Sequence, residues 1–270
     1  MNVNEVKRLA EIVDQQNWAA YDGLRASGET VLDALGLFLS GMDVRQRKLS
    51  LDILERYLII KEYSVPAKQL LERIVAETDQ EQIFISTVKD FGSEKVKSGA
   101  SLSYEFSSLI NLFPQKRFRF FEDPTSEKFL ASDGFCVLVD DFIGSGNQFL
   151  KMLTYLDDND IAVRCDCVAA LIFQDEGRLR IEEKGYSTVH LHSRPKCLHE
   201  IAQLRGVEVA KIHEIYDAIE ASTCCNPDYN RGYSSCEASV TLKKTPNNTL
   251  PIFWHEGRKK WPAPFPRPKN

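Results

Sequence analysis

FCVLVDDFIGSGNQ, residues 135–148, reads as an apolar strand, an acidic pair, a glycine turn and the opening of a helix. Phe135, Val137, Leu138 and Val139 form a continuous apolar run, the pattern of an inner strand in a parallel sheet covered on both faces. Leu150, Leu153 and Leu156 then recur at helical spacing. A strand over 135–140 leaves Asp140 and Asp141 at its carboxyl end, the edge of an open α/β sheet where ligands bind. A turn that feeds a helix start offers main-chain N–H groups to an anion. Gly144 and Gly146 allow a tight backbone and close approach of a phosphate, while Ser145, Asn147 and Gln148 add uncharged donors. Residues Gly144, Ser145, Gly146, Asn147 and Gln148 are therefore the candidate phosphate cradle. Asp140 and Asp141 suit sugar hydroxyls or a hydrated Mg²⁺. The plainer alternative is a strand–turn–helix of any doubly wound domain, its acids merely ending the strand.

Outward from this stretch the pattern alternates. Strands are expected at 83–88, 118–121, 163–173 and 187–192, separated by helices at 98–112, 148–156 and 176–184. With 135–140 that makes a five-stranded parallel α/β sheet. Right-handed crossovers would bring 89–98, 140–148 and 174–175 to one side of it. The first 80 residues read as a helical cap: Val3, Val6, Leu9, Ile12 and Val13 share one stripe, a second helix covers Gln46 to Tyr63, and a third runs through Leu70, Leu71, Ile74 and Val75 behind Pro66. The expected division is a cap at 1–80, a core at 81–195, a hood at 196–256 and a basic, proline-rich tail at 257–270. The hood carries a helical stretch over 198–222 and strands at 238–243 and 251–254.

A net charge of −5 with 27% charged residues argues against an extended polyanion-binding surface. Seven cysteines, an odd number, do not make a secreted disulfide framework. Cys165 and Cys167 are expected on a core face with Val163, Ala169 and Leu171; pairing them with His190 and His192 matches no zinc module, and Cys197 with His199 is weaker still, so no structural zinc is expected. No signal peptide is apparent and no apolar run approaches the roughly 20 residues of a bilayer span, so a cytoplasmic protein without membrane contact is expected. In the tail, Lys259, Lys260, Arg267 and Lys269 mix with Trp261 and Phe265. It is expected to be extended, able to grip single-stranded nucleic acid or a partner protein, a solvated tail being the other reading.

The 135–148 pattern resembles the phosphoribosyl pyrophosphate signature of type I phosphoribosyltransferases, and the resemblance covers about 83–192. It implies that fold, with Asp140 and Asp141 on the ribose 2- and 3-hydroxyls and 144–148 on the ribose 5-phosphate. It also implies pyrophosphate contacts from the loop after the first strand, where Lys89, Ser93, Lys95, Lys97, Ser98 and Gly99 are suitably placed. Lys95 or Lys97, with Mg²⁺, would then steady the leaving group. Two features depart from the family: Gly144 replaces an acid or hydroxyl, and Asn147-Gln148 replaces a small or hydroxyl pair. The long mobile loop between the second and third strands is also reduced to 122–134.

GSGNQ together with TPNNTLPIFW (245–254), and RGY between them, looks like a phosphoribosyltransferase-like family of bacterial conflict and antiphage loci. Asn247 and Asn248 with Tyr233 and Trp254 are the candidate base-binding residues; the plain alternative is a Pro-Asn turn with Trp254 in the core. The resemblance implies a defence effector that binds phosphoribosyl pyrophosphate or a related nucleotide and acts at the ribose anomeric carbon. Its rivals are a nucleotide-binding sensor that partners another defence protein, and a nucleotide glycosidase.

Overall fold

The computed structural model describes residues 1–22, 29–89, 91, 99–256 and 261–267. They form two compact units, Met1–Lys61 with Pro195–Asn270, and Glu62–Arg194.

The first unit begins with α1 (Val3–Gln15), α2 (Val31–Ser40) and α3 (Val44–Leu54). Each starts at a capping box: Asn2 with Glu5, Thr30 with Asp33, Asp43 with Gln46. Sequence periodicity missed α2, although Thr30 and Asp33 stand at capping-box spacing. The helix expected over Gln46 to Tyr63 stops at Leu54, and Leu58–Ile59 becomes strand β1. A tertiary hydrogen-bond partner decides this, since the amides of Leu58 and Ile60 donate to the carbonyls of Ser239 and Thr241 at 3.0 and 2.8 Å.

The second unit runs α4 (Ser64–Ala76), β2 (Gln82–Thr87), α5 (Gly99–Leu109), β3 (Arg117–Phe121), α6 (Glu127–Leu130), β4 (Phe135–Ile143), α7 (Asn147–Asp158), β5 (Cys167–Gln174), α8 (Asp175–Glu182) and β6 (Ser187–Arg194). The sheet is five-stranded in the order β3-β2-β4-β5-β6 and every neighbouring pair is parallel. Leu138, Val168 and Ala170 pack with Phe149, Met152 and Leu156 of α7 and Ile181 of α8. α4 lies along β5 and β6, and α5 along β2 and β4; the leucines of α4 grouped with a cap in the sequence reading thus cover the sheet.

β4 outruns its neighbour on one side. Its register with β2 ends at Thr87 opposite Val139, whereas pairing with β5 continues to Ile143 opposite Phe173. Asp140 and Asp141 therefore lie within the strand, not beyond its end, because apolar pairing of Phe142 and Ile143 with β5 carries it on. β5 starts at Cys167 rather than 163, so Cys165 precedes the strand and packs against the α7 side of the core, without sharing a strand face with Cys167. The connection at 122–134 folds into α6 with Phe129 fully buried, a packed segment.

The chain then returns to the first unit through α9 (Cys197–Arg205), α10 (Val209–Glu220) and β7 (Val240–Thr241), which pairs in parallel with β1. The helical stretch expected over 198–222 is two helices, divided at Gly206, whose φ of +63° ends α9 as a glycine C-cap. Residues 251–253 form a single 3₁₀ turn with Pro251 at its start, where a strand was expected. One core joins both ends of the chain, uniting Leu35, Phe38, Leu54 and Tyr57 with Leu198, Tyr216 and Phe253. The tail expectation is corrected for its described part. Phe265 stacks on Tyr57 with ring centroids 4.9 Å apart, Trp261 donates its indole N–H to the Ile252 carbonyl at 2.7 Å, and both rings pack on this core. An aromatic ring buries enough apolar area to outweigh the entropy of a loose segment, so these two rings are taken from any nucleic-acid base. Lys259, Lys260 and Lys269 lie outside the described residues. Among the described residues no helix is long and apolar enough to cross a membrane.

Candidate functional site

The sheet order reverses between β2 and β4: the chain leaves β2 outward to β3 and returns to β4 on the other side. Loops at the carboxyl ends of two such strands diverge and leave a crevice, which in open α/β sheets is where ligands bind. The glycine turn sits there. Gly146 takes φ +75° as the N-cap of α7, a left-handed conformation that glycine adopts without penalty, and Gly144, Ser145 and Gly146 are all buried. The first-turn amides of α7 have no helical carbonyl to meet, and those of the turn add to them.

Two residues of α8 support this turn, and the sequence reading named neither. At Gly177 an added Cβ would stand 2.1 Å from the Gly144 carbonyl oxygen and 2.8 Å from the Gly146 nitrogen, so the two backbones are in direct contact. Arg180 donates through Nη1 to the Ser145 carbonyl at 2.5 Å and to Asn147 Oδ1 at 2.7 Å. Gln148 donates its amide to the Val88 carbonyl at 3.2 Å, which ties α7 to the segment after β2. The side chains of Asn147 and Gln148, expected on the phosphate, are thus turned to protein partners. Main-chain N–H groups and the Ser145 hydroxyl are left as the candidate anion donors.

Asp140 and Asp141 are 6% and 4% exposed. Asp141 Oδ2 accepts the Tyr63 hydroxyl at 2.6 Å, and Asp140 Oδ1 accepts the Asp141 amide at 2.9 Å. Asp140 also lies beside the amino end of α5, where a Cβ on Gly99 would be 3.0 Å from the Val139 carbonyl and 3.4 Å from Asp140 Oδ1. Both buried carboxylates closely precede the glycine turn in the chain. They fit Mg²⁺ through water and substrate oxygens, the mode this reluctantly dehydrated ion prefers.

Lys89, expected to face pyrophosphate, is ion-paired with Asp123, and its ammonium lies 5.1 Å from the centre of the Phe91 ring. Burial pushes the Asp123 carboxyl up, but hydrogen bonds from Lys89 and Thr125 outweigh it and leave the group below its ordinary value. Lys95, Lys97, Ser93 and Ser98 lie outside the described residues.

The candidate base-binding residues belong to the first unit. The Tyr233 amide donates to the Asn247 carbonyl at 2.8 Å, and the Asn248 side chain donates to the Tyr233 carbonyl at 3.1 Å. Trp254 is 8% exposed, gives its indole N–H to the Thr249 carbonyl at 2.7 Å, and has Arg267 at 5.2 Å over its ring and Tyr229 edge-on. Its environment is that of a packed core ring. Tyr233 and the two asparagines are half-buried.

A doubly wound sheet of this order, with an acidic pair and a glycine turn at its switch strand, is the architecture of a phosphoribosyltransferase-like protein. The sequence model of the PRTase-CE family, named for phosphoribosyltransferase, matches residues 22–267, and the chain belongs to that family. Among solved structures, it is similar to orotate phosphoribosyltransferase from Aeropyrum pernix, at 17% identity and TM-score 0.34, over 73% of this chain and 99% of that one. The orotate phosphoribosyltransferase of Mycobacterium tuberculosis, solved in complex with 5-phospho-α-D-ribosyl 1-diphosphate (PRPP), aligns at 13% identity and TM-score 0.31, over 70% of this chain and 96% of that one. The assignment rests on the family match and the sheet order rather than on these overlaps. A search of curated proteins found no match.

Proposed function

We propose that this protein binds phosphoribosyl pyrophosphate, or a nucleotide with the same ribose 5-phosphate, at the 144–148 turn and acts at the ribose anomeric carbon in bacterial antiphage defence. The observation that carries the reading is Gly146: a left-handed glycine N-caps α7 at the sheet's switch point, directly behind two buried aspartates. The turn holds the phosphate through main-chain amides, and Arg180 fixes its shape from behind. Asp140 and Asp141 hold the ribose hydroxyls, Tyr63 orienting the second carboxylate. Cleavage at the anomeric carbon develops positive charge on the sugar, which two carboxylates nearby stabilise. Bound Mg²⁺ would neutralise the departing pyrophosphate, and Lys95 and Lys97 are proposed for the same end of the substrate. Asn247, Asn248 and Tyr233 remain the proposed base-recognition set, and the cytoplasm the proposed location.

Incubation of the purified chain with Mg²⁺, labelled phosphoribosyl pyrophosphate and a panel of bases and nucleotides is expected to release pyrophosphate, and Asp141→Asn to abolish the release. Free base without pyrophosphate would instead identify a glycosidase. A second reading, a nucleotide-binding sensor that engages another defence protein, is favoured by the engagement of Asn147 and Gln148 with protein partners and by the packed 122–134 segment. It predicts saturable binding with no turnover across the panel. For the defence role, phage plating on cells that express the locus with Gly146→Glu should match that on cells lacking it; undiminished protection would refute the role.

A further inference from the structure

The geometry points to a divalent transition-metal site of the zinc class in the first unit, built from His199, His213 and Glu237. His199 lies in α9 and His213 in α10, and Glu237 comes from the segment before β7. His199 Nδ1 stands 3.0 Å from Glu237 Oε2, and His213 Nε2 stands 2.8 Å from Glu237 Oε1. One ligand atom from each side chain lies within 4.8 Å of the other two.

Two imidazoles and a carboxylate form a ligand set that zinc accepts, with a water or a substrate atom in the fourth position. An ion at roughly 2.0–2.2 Å from each donor needs them roughly 3.3–3.5 Å apart in a tetrahedral set. The two histidine–carboxylate separations, 3.0 and 2.8 Å, are shorter than that and run to different oxygens of Glu237. The three side chains must therefore rearrange around one Glu237 oxygen to admit an ion, and His199, with its side chain 48% exposed, has room to move. Its exposure also gives a metal ion an entry path.

The acid is aimed by its surroundings. Glu237 is 1% exposed and sits at φ +51°, a left-handed conformation that is costly for a side chain with a Cβ. Its amide donates to the Arg231 carbonyl, its carbonyl accepts the Cys197 amide, and its carboxylate also accepts the Leu198 amide at 3.2 Å. A buried carboxylate whose backbone is held at both ends faces two imidazoles on neighbouring helices. One ring nitrogen of each faces it, as donor or acceptor according to the tautomer. To bind the ion, each imidazole presents a lone pair at that nitrogen, and any proton held there leaves to solvent. No cysteine takes part, which explains why cysteine spacing gave no hint and why the sequence led to an expectation of no zinc.

This inference is independent of the phosphate turn, which lies in the other unit. The test uses the full chain, stripped with a chelator and titrated with Zn²⁺ against a chromophoric competitor, together with Co²⁺ absorption spectra. Expected are one zinc per chain, a melting temperature that rises with Zn²⁺, and a dissociation constant raised at least tenfold by His199→Ala and by Glu237→Gln. The Co²⁺ spectrum should lack a thiolate charge-transfer band. A thiolate band, binding that survives both substitutions, or no binding at all would overturn the site. His199→Ala removes a half-exposed side chain, so its folding can be verified before titration, and Glu237→Gln preserves the shape of the buried group.

Discussion

Gly177→Ala tests the idea that the 144–146 turn is a phosphate cradle shaped by α8. The added Cβ would stand 2.1 Å from the Gly144 oxygen, where ordinary contact begins at 3.4 Å, so the two backbones must part by about 1.3 Å. The nearest atoms are main chain, so no rotamer change relieves the clash. Separation also stretches the Arg180 hydrogen bonds to Ser145 and Asn147, since Arg180 rides on the same helix. A misplacement of about 1 Å at a binding site costs about 10²-fold, and overpacking a well-packed contact costs about 1–3 kcal/mol. Calorimetric titration with phosphoribosyl pyrophosphate and Mg²⁺, run beside thermal melts, separates the two effects. Gly36→Ala is the control: it sits in α2 with nothing within 4 Å of a new Cβ, and should gain up to about 1 kcal/mol from helix propensity. If Gly177→Ala is folded and binds with unaltered affinity, contact with α8 does not shape a phosphate site and the reasoning fails.

Arg180→Ala should weaken the same ligand about tenfold, about 1.4 kcal/mol, with little loss of melting temperature; equal affinity would show that the turn keeps its shape unaided. Tyr63→Phe removes the buried hydroxyl donor to Asp141 and should cost about 1–3 kcal/mol in urea unfolding, an unchanged midpoint showing that this bond carries no stability. Burial raises the Glu220 carboxyl above its ordinary value of 4.5, the Arg231 amide and the Tyr216 hydroxyl offsetting this only in part. The folded state therefore binds the proton more tightly than the unfolded state, and the stability this contributes is present at acid pH and lost as pH rises through the folded value. Glu220→Gln should accordingly gain melting temperature over the parent as pH rises above the ordinary carboxylate range, and parallel pH profiles would contradict the assignment.

The strand–turn–helix at 135–158 was legible because its causes are local: a run of β-branched and aromatic residues, glycine where φ is positive, and leucines at helical spacing. The alternation of five strands followed from the same periodicities, whereas the strand order, which sets the turn at the switch point, did not. Errors fell where a distant partner overrides local preference. Leu58 and Ile59 leave a helical pattern to pair with Val240 and Thr241, Pro251 opens a 3₁₀ turn, and Trp261 and Phe265 pack on the Tyr57 core.

Sequence alone determined the strand–turn–helix over 135–158, since backbone conformation there depends on residues adjacent in the chain. Tertiary structure alone decided what supports it: Gly177 and Arg180 are more than 30 positions along the chain from Gly144 and Ser145, as the 35-residue separation of the Arg180–Ser145 bond shows. The same holds for His199, His213 and Glu237, which belong to two helices and a strained segment that no periodicity connects. Hydrogen bonds and ligand distances depend on position in space, and only the folded backbone converts separation along the chain into proximity.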